Sequence, residues 1–276
     1  MHTSILSWNI RGIRKREKIR AVNQLISSQH PKVILLQETK LEVINGKLVK
    51  RLWNLDRAQF SFSPFFGSAG GLLSIWDPDW IQVSQIIVKP RILAIIGFMG
   101  VNKLLGGILN VYGPSIDLEK KDFLEEVSSI IKDSGIAWCL GGDWNLFIDP
   151  SENIGFSLNQ AMIDLFKNFI FEASLLDLSL VGGCFTWCNN RDPPTFVRLD
   201  RFLITANFDL AFPNLMQTVL NKSISDHNAI CIQSDHLNWG PKPFRFFNHW
   251  YNEKGFDNFV ISTVKNIKHR NSGVGI

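Results

Sequence analysis

The spacing of apolar and polar residues changes period several times along the chain, and each change marks an element. Residues 3–10 (TSILSWNI) form a β-rich apolar run. The basic segment that follows, 11–28 (RGIRKREKIRAVNQLISS), carries Ile19, Val22, Leu25 and Ile26 at helical spacing. Residues 31–38 (PKVILLQE) are continuously apolar behind Pro31, as in a strand buried on both faces. The chain is therefore expected to open strand–helix–strand. Strand patterns dominate the middle, at 59–66, 71–77, 81–88, 91–99 and 104–112, punctuated by Gly70-Gly71, Asp77-Pro78 and Gly100. A helix fits Asp117–Gly135, with Asp117 as cap and Gly135 as stop. A strand at 136–143 (IAWCLGGD), an amphipathic helix at 158–175, and strands at 184–188, 196–204, 215–220 and 228–233 complete the pattern. Helical crossovers mixed with hairpins suit a two-sheet core with helices outside.

Residues 1–235 are read as one domain. The stretch 236–276 differs, with two prolines and many aromatics in HLNWGPKPFRFFNHWYNEKGF, and is read as a linker plus a terminal helix near 253–268. A length of 276 residues and 45% hydrophobic content allow one large core, and 21 Phe and 9 Trp argue against disorder. The net charge of +4 permits a polyanionic substrate without requiring one. Cys139 and Cys231 lie in strand-like runs, and Cys184 and Cys188 have no zinc-site partners at the right spacing. All four read as reduced thiols of an intracellular protein, with a disulfide as the alternative. The N-terminal MHTSILSWNIRG lacks the pattern of a signal peptide, and the longest uncharged run, between Arg57 and Asp77, reads as two strands and a turn, so no membrane span is expected.

Polar residues recur where strands end. Asn9 closes the first strand, Glu38 the second, and Tyr112 the run GGILNVYGP. Asp143 and Asn145 follow Gly141-Gly142, and Asp226-His227 opens the last strand. Strand ends are where ligands bind in sheets with helical crossovers. Singly, each has an ordinary explanation. Asn9 suits a cap, Glu38 a solvated end beside Lys40, Asp143 and Asn145 an Asx turn, Tyr112 packing, and His227 a satisfied core histidine. Asp200, inside VRLDRFLI, shares a face with Arg198 and Phe202 by alternation. A buried acid there suits the orientation of a histidine, with a salt bridge to Arg198 or Arg201 as the alternative.

The order of these motifs is more specific than any one of them. SWN, QE, NVYGP, GDWN, RLDRFL and SDH, in that order over roughly residues 3–233, resemble the endonuclease/exonuclease/phosphatase (deoxyribonuclease I-like) superfamily. The longer strings SWNIRGIRKREK, LLQETK, FTWCNN, VRLDRFLI, SDHNAI and PKPFRFFNHW look like the endonuclease domain of plant non-LTR (LINE-type) retrotransposon polyproteins. The resemblance implies a four-layer α/β/β/α sandwich of two packed mixed β-sheets flanked by helices. It implies a segment 236–276 left from a junction to a missing reverse transcriptase. It also implies a metal-dependent DNA-nicking endonuclease using Mg²⁺, or Mn²⁺ in its place.

Residue by residue, the resemblance makes Glu38 the principal metal ligand, with Asn9 and Asp226 helping. Asp143 activates water, and Asn145 holds a phosphate oxygen or Asp143 itself. His227 and Asp200 form a histidine–carboxylate pair, with His227 either base or charge stabiliser. Asn9, Tyr112, Asn145 and Thr186 contact the substrate. Apart from the resemblance, Arg11 and Arg14 of the basic segment are expected to track phosphates, with a solvated helix face as the alternative. Gly141 and Gly142 let the scissile phosphate approach, and i, i+2 spacing puts Asp143 and Asn145 on one side. The loop 189–198 (NNRDPPTFVR) samples DNA shape. Trp144 stands where the family has Phe, which implies a packing adjustment. DNA is the expected partner of a monomer, and a DNA substrate suggests a nuclear location. A phosphatase or lipid phosphodiesterase of the same fold, or a silent nucleic-acid-binding relic, are the alternatives.

Overall fold

Along β1 (Ser4–Asn9) every residue is buried, and alternation divides them between two cores: Ile5 joins one, Leu6 and Trp8 the other. A strand buried on both faces needs a layer above and below, and the architecture supplies both. The computed structural model describes residues 3–66, 69–132, 135–220 and 224–234. After β1 come α1 (Arg16–Gln29), β2 (Val33–Gln37), α2 (Gly46–Leu52), β3 (Gln59–Phe66), β4 (Ala69–Trp76), β5 (Ile81–Val88), β6 (Ile92–Met99) and β7 (Leu104–Tyr112). Next are α3 (Asp117–Ile131), β8 (Ala137–Asp143), a 3-10 turn (Pro150–Glu152), β9 (Asn153–Ile154), α4 (Gln160–Glu172), β10 (Leu175–Asp177) and β11 (Leu180–Val181). The chain continues with β12 (Trp187–Cys188), β13 (Phe196–Val197), β14 (Asp200–Thr205), α5 (Ala206–Ala211), β15 (Leu215–Leu220) and β16 (Ala229–Ser234).

One mixed sheet has the order β11-β15-β16-β1-β2-β4-β3 and the other β10-β14-β8-β7-β6-β5, with a small sheet β12-β13-β9 at the edge. Ile5, Val33 and Leu35 of the first sheet meet Ile95, Ile108, Cys139 and Phe202 of the second in the inter-sheet core. α1 and α2 cover the outer face of the first sheet through Val22, Leu25, Val49 and Leu52, against Trp8, Leu36 and Ile75. α3 and α4 cover the second through Phe123, Val127, Phe166 and Phe169, against Val111, Trp138 and Leu140. The result is the α/β/β/α sandwich that the motifs implied. Trp144 is fully buried among Phe123, Phe166 and Phe169, and its indole N–H donates to the Arg201 carbonyl at 3.2 Å.

Several local expectations are corrected. Asp117 is the first residue of α3 and not its cap; its carboxylate accepts from Lys120 Nζ at 2.7 Å and Asn159 Nδ2 at 2.8 Å. α3 ends at Ile131, short of Gly135. The run 196–204 breaks at Arg198–Leu199, because the Thr186 hydroxyl takes the N–H groups of both Leu199 and Asp200. The strand expected at 184–188 shortens to Trp187–Cys188 for lack of a longer partner. α2, α5 and the two- and three-residue strands escaped the periodicity, being shorter than the window that reveals it. All four cysteines are free. Among the described residues, no helix is long and apolar enough to cross a membrane. The expected linker and helix at 236–276 lie outside the described residues.

Candidate active site

The site forms where the central strands of both sheets end. β1 and β2 run parallel and deliver Asn9 and Glu38 side by side. β7 and β8 run parallel with Tyr112 opposite Asp143, and β14 runs antiparallel with Asp200 opposite Asp143. β16 starts just after His227. Residues up to 219 positions apart in sequence thereby share one corner; the Trp8 indole N–H donates to the His227 carbonyl at 2.9 Å.

Asn9 joins the two sheets. Its amide nitrogen donates to Glu38 Oε1 at 2.9 Å and Asp143 Oδ2 at 2.8 Å, and its oxygen accepts the Arg11 N–H at 3.2 Å. Only the nitrogen is electrostatically suited to face two carboxylates. Asn9 thus bridges the two acids through its amide nitrogen. Glu38 is 4% exposed, and its oxygens lie 3.4 Å from Arg11 Nε and 3.6 Å from Lys40 Nζ. Asp226 accepts from Trp187 Nε1 at 3.0 Å and lies 3.2 Å from the Arg11 guanidinium.

His227 sits between two acids, its Nδ1 2.9 Å from Asp200 Oδ2 and its Nε2 3.7 Å from Asp143 Oδ2. Burial alone would lower its pKa, but the charges of Asp200 and Asp143 outweigh burial and raise it to about 9. Burial also raises Asp143, to about 7, with the neighbouring imidazolium pulling the other way. Tyr112 is pushed above its usual range, first by burial and then by Glu38 and Asp143, so its hydroxyl remains a donor. Asp200 has no bond to Arg198 or Arg201. Both arginines instead pair with Glu152 and Asp177 at 2.7–3.1 Å in a buried cluster of four charges.

Other expected residues fall differently. Asn145 has a left-handed backbone (φ 49°), so it does not follow Asp143 along a strand. Its N–H caps Asp143 Oδ1 at 3.0 Å, an Asx turn, and its side-chain amide donates to the Gly113 carbonyl at 2.7 Å. Thr186 is fully buried, and its hydroxyl accepts the N–H groups of Leu199 and Asp200, so it positions Asp200. A Cβ on Gly141 would meet Phe202 at 2.3 Å, and one on Gly142 the Val111 carbonyl at 2.0 Å. The glycines therefore allow close strand packing, not phosphate approach. Arg14 is exposed and makes no ion pair with the site. Of the basic segment, Lys18 turns inward, donating to the carbonyls of Ile10 and Arg11. The loop around Asn190–Pro194 is exposed beside Trp187, which lines the site.

Sequence reasoning missed the pins beneath the site. Gln37 Nε2 donates to Asn110 Oδ1 at 2.7 Å, and Asn110 Nδ2 reaches the Leu73 carbonyl at 3.1 Å, a fully buried link between the sheets next to Glu38 and Tyr112. Ser225 Oγ donates to the Asn9 carbonyl at 2.9 Å and accepts the His227 N–H. The signal for Gln37 and Asn110 was present: single amides inside apolar strands need partners.

A cleft of about 490 Å³ opens from His227 and Asn145 along Leu146, Phe147, Met162 and Leu199. Two carboxylate groupings in the corner suit a cation. Asp143, Asp200 and His227 bring ligand atoms within 4.8 Å of one another, with His227 Nδ1 already bonded to Asp200. Glu38 and Asp226 face the same guanidinium, and their hard carboxylate oxygens suit a divalent cation.

The fold is similar to that of the AP endonuclease LMAP from Leishmania major (14% identity, TM-score 0.65, 85% of this chain and 88% of that one). It is also similar to the 3'-5' exonuclease NExo from Neisseria meningitidis (16%, 0.67, 84% and 100%). The endonuclease domain of TRAS1, a telomere-specific non-LTR retrotransposon, is a third (15%, 0.61, 85% and 99%). No curated protein sequence is matched. The profile of the Endonuclease/Exonuclease/phosphatase family matches residues 6–227, a range that includes Asn9, Glu38, Tyr112, Asp143, Asp200 and His227, and the chain belongs to that family.

Proposed function

We propose that the protein is a Mg²⁺-dependent DNA-nicking endonuclease of retrotransposon origin, hydrolysing a phosphodiester by in-line attack of water. The observation that carries this reading is the convergence of Glu38, Asp143 and the His227–Asp200 pair on one corner, with Asn9 bonded to both Glu38 and Asp143. Glu38 and Asp226 would hold the divalent cation, which when bound supplies charge neutralisation at the phosphate. Mn²⁺ has the same preference for oxygen donors.

The remaining chemistry belongs to the chain. Asp143, raised toward neutrality, takes the proton of the attacking water; its Asx turn and the Asn9 bond hold it in place. His227, cationic below about pH 9, faces the phosphoryl oxygens as charge accumulates, and Asp200 fixes its tautomer. Tyr112 and Arg11 donate to the phosphate. The adjacent cleft of about 490 Å³ has the volume for a nucleoside next to that phosphate, and Leu146, Phe147, Met162 and Leu199 along it suit a sugar or base. The exposed loop at Asn190–Pro194 would meet the flanking duplex, and a DNA substrate would place the protein in the nucleus.

The motifs shared with retrotransposon endonucleases support the retroelement origin. The test is nicking of supercoiled plasmid with Mg²⁺ or EDTA, beside phosphoinositide and sphingomyelin hydrolysis. Glu38→Ala should lower nicking by roughly 10³-fold or more. Nicking by this variant at the wild-type rate refutes the role of Glu38. Hydrolysis of the lipids alone replaces the nuclease reading with the phosphodiesterase one.

A further inference from the structure

Three residues around the Glu38 carboxylate hold left-handed backbone without being glycine: Arg11 (φ 47°), Glu38 (φ 47°) and Lys40 (φ 54°). Such conformations persist only where surrounding structure dictates them. Here it does: the Gly12 N–H donates to the Glu38 carbonyl at 2.6 Å, Thr39 N–H to Gly71, and Lys40 N–H to Gly70. Lys18 adds a clamp from α1, its ammonium bonded to the carbonyls of Ile10 and Arg11. The outcome is two half-exposed cations aimed at one buried carboxylate. Arg11 Nε lies 3.4 Å from one Glu38 oxygen, Lys40 Nζ 3.6 Å from the other, and Arg11 also reaches Asp226 at 3.2 Å.

We propose that Arg11 and Lys40 compete with the divalent cation for Glu38 and Asp226, so that the free protein holds the ion weakly and the substrate phosphodiester, by drawing the Arg11 guanidinium to itself, completes the metal site. This inference rests on the reading of Glu38 as ligand. The guanidinium spans the same two carboxylates an ion would use, and like charges cannot share them. A phosphate oxygen offers Arg11 a bond of the same kind that the carboxylates offer. Removing the guanidinium should therefore tighten the ion, and DNA and ion should each strengthen the other's binding by the same factor.

The test measures binding of Mn²⁺ alone, by electron paramagnetic resonance, without DNA. Arg11→Met should bind Mn²⁺ roughly five- to tenfold more tightly than wild type, and Lys40→Met roughly two- to threefold, as half-exposed charges act in a screened medium. Arg14→Met, three positions along and outside the site, should leave the affinity unchanged. In a His227→Ala background, a short duplex should tighten Mn²⁺ binding, and adding Arg11→Met should remove most of that gain. Unchanged or weaker binding by Arg11→Met, with Glu38→Gln losing the ion, overturns the competition alone. An equal gain from Arg14→Met reduces it to general charge and also overturns it. If Glu38→Gln binds Mn²⁺ as wild type does, the reading of the site fails.

Discussion

Asp200→Asn isolates the electrostatics of the dyad, because it keeps shape and removes one charge. Asp200 is 1% exposed and holds His227 Nδ1 at 2.9 Å, with its other oxygen left without a partner among the described residues. In the wild type, burial works against the imidazolium, and Asp200 leads the opposing influences that raise it from 6.5 to about 9. That displacement corresponds to ~3 kcal/mol of preference for the charged ring. Without the carboxylate, burial dominates and the ring should titrate near or below 6.5, measurable by NMR of the imidazole nitrogens.

Kinetics should follow. With Asp143 acting as base and His227 as cation, wild-type nicking should be bell-shaped, with apparent limbs near 7 and 9 that belong to the coupled pair. The variant should lose about 10²–10⁴-fold at pH 8, and its alkaline limb should move acidward. Stability carries the same sign. A histidine raised in the folded state contributes fully below pH 6.5, and the contribution disappears as pH rises through about 9. Wild type should thus lose up to ~3 kcal/mol between those values, and the variant little. An unaltered imidazole titration, or an alkaline limb that stays in place, would refute this account of the dyad.

Glu152→Gln should destabilise by about 3–5 kcal/mol, since it strips charge from a buried cluster whose arginines are 8% and 0% exposed; thermal denaturation should fall by roughly 10 °C. Thr186→Val leaves the N–H groups of Leu199 and Asp200 without their acceptor, and should cost about 2–3 kcal/mol in urea unfolding while leaving KM unchanged. Gly141→Ala forces a Cβ to within 2.3 Å of Phe202 and should cost about 1–3 kcal/mol of stability; a pure loss of activity at full stability would restore the phosphate-approach role.

Much of this protein was legible in one dimension. Continuous apolar runs such as 33–37 marked strands that needed cover on both sides, and helical spacing in 16–29 and 160–172 marked the cover. Those are short-range properties, set by side-chain period and burial. Polar residues at the ends of the same runs, Asn9, Glu38, Asp143 and His227, marked a site because an acid or amide at the end of a buried strand needs a partner. What those partners are lies beyond a linear pattern. That Asn9 faces two carboxylates with its nitrogen, that Thr186 serves β14, that Gly141 and Gly142 yield to Phe202 and Val111, and that Arg198 and Arg201 leave Asp200 to the histidine all depend on strand order across two sheets. Those pairings join residues up to more than a hundred positions apart, and only the register of the folded sheets decides which atoms lie within three ångströms.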